Sequence, residues 1–216
     1  MLKADLHVHT QYSMDCNTPL EKIVSRCLKI GINCVAISDH GTAEGALKLR
    51  EMAPFTVIIA EEILTPHGEI IGMFLEETIP SGLSVAETLS RIRAQNGLVC
   101  IPHPFDIIRK SALQNHIIEE ITEQIDMIET LNARIMLPQN SAKARAFAAK
   151  HGIIPSAGSD AHTVREIGNA YVEMPEFEGR DDFLQALEKG KICGHMTNPF
   201  IHFASIWTKL RHRWLG

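Results

Sequence analysis

At 216 residues the chain suffices for one domain and can bury about 70% of its unfolded surface, which excludes a disulfide-stapled miniprotein. Hydrophobic residues make up 45% and charged residues 22%, close to the globular average and unlike a disordered chain. The 21 Lys and Arg against 26 Asp and Glu give −5 with His neutral, which argues against gripping long nucleic acid by bulk charge but leaves a local basic site open.

Short apolar, β-branched runs alternate with longer stretches of helical period. A strand is predicted over 4–8 and a helix over 19–29, with Thr18 as N-cap, Pro19 at its first position, Glu21 at its third, and Gly31 as its stop. A strand over 34–38 precedes a helix over 43–52, strands over 57–62 and 70–75 precede a helix over 85–95, and a strand over 98–101 precedes a helix over 117–124. Strands over 127–131 and 153–157 flank a helix over 141–151, and a strand over 171–174 leads into a helix over 181–189. This alternation predicts an α/β protein with a parallel sheet, open or closed into a barrel. Without a low-complexity linker, composition break or fixed-period repeat, residues 1–216 read as one domain.

The five cysteines, Cys16, Cys27, Cys34, Cys100 and Cys193, are scattered and form no C-x-x-C pair, which suits a reducing compartment. No apolar leader follows Met1 and no stretch reaches the length of a membrane span, so a cytoplasmic protein without obligate membrane attachment is expected.

Chemistry concentrates at the C-terminal ends of the predicted strands. The first ends in His7-Val8-His9-Thr10, the second in Ser38-Asp39-His40-Gly41, the third in Glu61-Glu62; Glu69 lies in the fourth segment, Pro102-His103-Pro104 after the fifth, and Gly158-Ser159-Asp160-Ala161-His162 after the seventh. That rim is where α/β sheets and barrels bind ligands. Residues i and i+2 of a strand share a side, so His7 and His9 can converge on one cation, as can Asp160 and His162 if that strand end stays extended. Alone, an H-x-H or Pro-His-Pro is an ordinary polar strand end or turn. Their recurrence decides, because so many buried imidazoles and carboxylates without a cation would suffer desolvation and like-charge repulsion. Mixed imidazole and carboxylate donors suit zinc, manganese or iron rather than calcium.

Asp5-Leu6-His7-Val8-His9-Thr10, Ser13, Asp15, Ser38-Asp39-His40-Gly41, Glu62-Ile63, Pro102-His103-Pro104 and Gly158-Ser159-Asp160-Ala161-His162 together resemble the ordered motifs of the PHP (polymerase and histidinol phosphatase) domain family. The resemblance implies a distorted (βα)7 TIM-like barrel over about 1–198 with a trinuclear metal centre at its mouth. It also implies a first metal on His7, His9, Glu62 and Asp160, a second sharing Glu62 and adding His103, and a third on Asp15, His40 and His162. The chain departs from the family at Glu69-Ile70-Ile71-Gly72, where many relatives carry a histidine. Either Glu69 ligates the second metal, favouring a harder ion such as manganese or magnesium, or that site is weak; His67 is the substitute, and the register favours Glu69. Likewise Glu62 is read as the ligand, with Glu61 on the opposite face of its strand, and Asp39 as a residue orienting His40.

The reaction so implied is phosphoester hydrolysis by a hydroxide bridging the first two metals, using two to three divalent ions. Arg109, Arg134, Asn132 and His195 are the candidate substrate contacts, the arginines for phosphoryl oxygens. His116, His151, His202 and His212 read as surface residues. The segment 199–216, with Lys209, Arg211 and Arg213 among Trp207, Leu210 and Trp214, reads as an amphipathic basic helix that packs on the barrel, the alternatives being a membrane surface, nucleic acid or a partner. The expected substrate is a small phosphorylated metabolite or nucleotide. The alternatives are a short oligonucleotide or nucleoside bisphosphate, and a non-catalytic metal-binding regulatory domain.

Overall fold

The first strand explains how a polar mouth sits on an apolar floor. In this computed structural model, which describes residues 1–197, β1 (Leu2–Val8) runs parallel to β2 (Cys34–Ile37), and their register slips between Asp5 and Val8. Ala4 and Leu6 belong to the inner core, whereas Val8 packs in the outer layer. Strict alternation would put His7 on the side opposite Leu6; the bulge lets both histidines rise into the polar cluster above it.

The sheet continues through β3 (Thr56–Thr65), β4 (Gly68–Met73), β5 (Leu98–Ile101), β6 (Met127–Asn132) and β7 (Ile154–Gly158). It nearly closes where the chain after β7 returns to β1: the Asp160 amide donates to the His7 carbonyl at 2.8 Å, and the His9 amide to the Ala161 carbonyl at 3.0 Å. The first half of β1 pairs instead with β8 (Ala170–Met174), which carries β9 (Lys191–Gly194) at its edge. An α/β barrel-shaped sheet was expected; a wholly parallel one is corrected. β4 is antiparallel to β3 and β5, and β8 is antiparallel to β1 and β9. The cause is local: Thr65 pairs with Gly68, so only Pro66-His67 joins β3 to β4, far short of the dozen or so residues a parallel crossover needs.

Small side chains fill the narrow interior, among them Ala4, Ala36, Ala60, Cys100 and Ala157, and the Phe183, Phe74 and Phe177 rings stack edge-on beside this cluster. Outside, α1 (Leu20–Ile30), α2 (Glu44–Met52), α3 (Val85–Ala94), α4 (Asn115–Glu120), α5 (Pro138–His151) and α6 (Arg180–Glu188) complete the fold. Ile23, Leu49, Ile92 and Ile118 from these helices meet Val35, Ile37, Ile59 and Val99 of the sheet. Gly31 ends α1 in the left-handed conformation at φ 75° as predicted, but Thr18 does not cap it. Pro19 takes the cap position, and the Thr18 hydroxyl donates to the His162 carbonyl at 3.2 Å, tying the helix entry to the site.

No helix of the described residues is long and apolar enough to cross a membrane, and all five cysteines are free thiols. The basic tail read as a helix over 199–216 lies outside the described residues.

Candidate metal centre

Nine side chains from seven strand ends and loops converge at the mouth: His7, His9, Asp15, His40, Glu62, Glu69, His103, Asp160 and His162. All are buried except His40, which is partly so. His7 and His9 face each other with Nε2 atoms 3.1 Å apart, and both approach Glu62 Oε2, at 3.5 and 3.4 Å. Asp160 Oδ1 stands 3.5 Å from His9 Nε2. Glu62 Oε1 meets His103 Nε2 at 2.9 Å, and Glu69 Oε2 lies 3.5 Å from that nitrogen. On the other side Asp15 Oδ2 lies 3.1 Å from His162 Nε2 and 3.4 Å from His40 Nε2, while His40 Nδ1 faces Glu62 Oε2 at 3.2 Å and Glu69 Oε1 at 3.6 Å.

Three overlapping sets of donor atoms each gather within 4.8 Å: His7, His9 and Glu62; His40, Glu62 and Glu69; and His9, Asp15, His40 and His162. Buried Glu62 Oε2, Glu69 Oε2 and Asp160 Oδ1 have no hydrogen-bond partner, the state of oxygens arranged for a cation. Electrostatics agree. Burial opposes charge at His40, but Glu62, Asp15 and Glu69 outweigh it and lift its pKa to about 9. His9 drops to about 3 through burial and the neighbouring His162. Against their own burial, Glu62 and Asp160 are held well below the usual carboxylate range, Glu62 by His7 and His40, and Asp160 by Arg109 and His7. Glu69 is raised, by burial and by Glu62 beside it. Nitrogen and oxygen donors so mixed fit divalent transition ions.

The backbone contributes as well. His103 and Asp160 have positive φ, 31° and 54°, a conformation non-glycine residues rarely adopt and one that clusters at functional sites. The strand end at Asp160 is therefore not extended as expected. His162 still reaches the cluster, with its Nδ1 2.9 Å from the Asp160 carbonyl.

Comparison with known proteins gives this geometry a family. The family model described as the PHP domain matches residues 5–67, and the one described as PHP-associated matches residues 138–192. An uncharacterized protein of Methanocaldococcus jannaschii is 36% identical over 178 residues, covering 81% of this chain and 71% of that protein. The chain belongs to the PHP domain family. A second uncharacterized protein of that organism is 41% identical over 145 residues, 61% of this PHP chain and 82% of its own length. Among solved structures, a two-domain protein from Bacteroides vulgatus containing a predicted PHP-like metal-dependent phosphoesterase superposes with a TM-score of 0.73 at 16% identity, over 96% of this chain and 69% of that one. At that identity the likeness is one of fold: a TIM-like barrel. Glu69 and His103 fall outside both matched segments, and the fold brings them to the residues that lie within them.

Around the nine, the structure sorts the remaining predictions. Arg109 Nη2 holds Asp160 Oδ2 at 2.7 Å and is partly exposed. Asn132 is buried and directs its amide to Glu129 and Asp160, while Arg134, also buried, reaches the Asp160 carbonyl at 3.4 Å and Glu166 at 3.6 Å. His195 is exposed, anchored by its amide on the Asn169 carbonyl, and no contact among the described residues brings it to the cluster. His67 is also exposed and its ring faces His116, leaving Glu69 as the fourth-strand member. Glu61 lies on the other face of β3, accepting the Ile79 amide at 2.8 Å. Asp39 does not orient His40; its carboxylate takes the amide and hydroxyl of Thr10 at 2.6 and 2.7 Å. Sequence reasoning missed Glu166, which accepts the His162 amide, and Glu129, which contacts His7. Glu129 had a signal: an acid two residues beyond the inward Met127 in an apolar strand.

Proposed function

We propose that this PHP protein is a metal-dependent phosphoesterase that hydrolyses a phosphate ester of a small metabolite or nucleotide. The observation that carries the reading is the set of three overlapping donor groups with buried, unpartnered carboxylate oxygens between them. In this assignment His7, His9, Glu62 and Asp160 hold a first cation, Glu62, Glu69 and His103 a second, and Asp15, His40 and His162 a third. Manganese, zinc or iron suits these donors, with magnesium the alternative at the carboxylate-rich second position. Divalent cations held close together supply Lewis acidity and an activated water. The protein's own part is to hold them and the ester: Arg109, partly exposed at the mouth, binds phosphoryl oxygens, while Asn132 and Arg134 steady Asp160 from behind. The five free cysteines suit a reducing cytoplasm.

The test is phosphate release with added manganese or zinc from a panel of histidinol phosphate, nucleoside monophosphates, nucleoside bisphosphates and a short RNA, beside His9→Ala. Release that disappears in the variant supports the proposal, and the best substrate chooses between metabolite and oligonucleotide. Metal-loaded, folded protein inert on every member counts for a binding role.

A further inference from the structure

We propose that Glu129 is the positioning residue of the centre, a carboxylate outside the donor sets that fixes which nitrogen His7 offers and keeps His103 and Asp160 in register with it. Its consequence for metal binding rests on the reading above; its geometry rests on hydrogen bonds alone. Glu129 is buried on β6, with Oε1 2.8 Å from His7 Nδ1. Its Oε2 accepts the His103 amide at 2.7 Å and the Asn132 side-chain amide at 2.9 Å, and that Asn132 amide continues to Asp160 Oδ2 at 3.3 Å. One acidic side chain thus links members of three strand ends.

A carboxylate only accepts, so it requires the His7 proton on Nδ1 and leaves Nε2 pointing inward, toward His9 and Glu62. The short bond to the His103 amide also holds that residue at its positive φ. Glycine at 158 makes the approach sterically feasible, because a Cβ there would run into the His7 Cβ and stand 2.9 Å from Glu129 Oε1.

Glutamine at 129 has the same shape but one acceptor and one NH2 donor. If its oxygen stays with the His103 and Asn132 donors, its NH2 faces His7 Nδ1, which must then accept. The His7 proton moves to Nε2 and covers the lone pair a metal would use.

The experiment is E129Q in the full chain, read by manganese equilibrium dialysis and by nitrogen-15 NMR of histidine-labelled, metal-free protein. Wild type is expected to show a protected Nδ1 proton, assigned to His7 by its loss in His7→Ala. E129Q is expected to lose that signal, keep its circular dichroism, and bind manganese about 10–100-fold more weakly. A variant with wild-type manganese affinity, or a wild-type His7 carrying its proton on Nε2 alone, overturns the proposal. If E129Q does not fold, the wild-type spectrum still decides by the same signal. If wild type takes up no metal, the metal-centre reading fails, while the Nδ1 proton continues to judge Glu129.

Discussion

Glu62 Oε1 lies 2.9 Å from His103 Nε2, so one carboxylate of β3 ties the rim residue after β5 to the histidines that follow β1 and β2. Its second oxygen, buried and without a hydrogen-bond partner, faces His9 at 3.4 Å and His40 at 3.2 Å. Glu62 is therefore the carboxylate common to two of the three donor sets, a position it shares with the imidazoles of His9 and His40. Glu62→Gln keeps the shape and removes the charge. Phosphate release is expected to fall by more than about 100-fold, beyond the usual loss for an outer partner of a metal ligand, with metal content falling in parallel. Elemental analysis beside the activity assay checks it; full metal content with full activity would remove Glu62 from the centre.

Glu69 stands between His40 and His103, its two oxygens directed one to each. Glu69→His places an imidazole there and replaces a hard oxygen donor with nitrogen. The zinc-over-manganese preference is expected to rise at least about tenfold in competitive dialysis. An unchanged ratio would mean that Glu69 serves the imidazole of His40 through its charge rather than a metal.

The two arginines on Asp160 should separate by their burial. Arg109→Ala, at the partly exposed mouth, is expected to leave the fold intact and raise KM for phosphorylated substrates about tenfold, with a smaller change in kcat. Arg134→Ala leaves buried Glu166 without this cation and is expected to lower stability by roughly 1–3 kcal/mol in denaturant titration. Identical behaviour of the two variants would contradict their different placement.

Asp182 accepts the amides of Glu178 and Gly179 at 2.9 and 3.0 Å at the start of α6, and these bonds lower its carboxyl pKa. A depressed folded pKa stabilises fully above the unfolded value of about 3.9, and that stability is lost as pH falls through the folded value. Asp182→Ala should therefore melt at a slightly lower temperature than wild type at neutral pH, and the gap should close in strong acid. A gap independent of pH would show that the charge plays no part.

Much of this was legible in the chain. Eight of the nine clustered residues announce themselves as polar side chains in or after successive predicted strands, Asp15 enters only through the family resemblance, and the α/β class follows from the alternation of periods. The antiparallel β3–β4 pair was hidden because Ile70 and Ile71 read alike in either direction; the two-residue connection, not composition, sets the sense. β9 escaped notice because Lys191–Gly194 is short and partly exposed, with little apolar pattern to betray it.

The sequence by itself determined the residue types, and with them the chemistry: imidazoles and carboxylates in motifs whose order and spacing mark the PHP family. Tertiary structure alone decided the partnerships. Glu129 and His7 are 122 residues apart, and the preference for Glu69 over His67 that the register expressed became a placement when β4 carried one inward and left the other on the turn. Strand periodicity states which residues share a face, but which faces meet depends on barrel closure and on the bulge in β1, and those are settled by packing across the whole sheet.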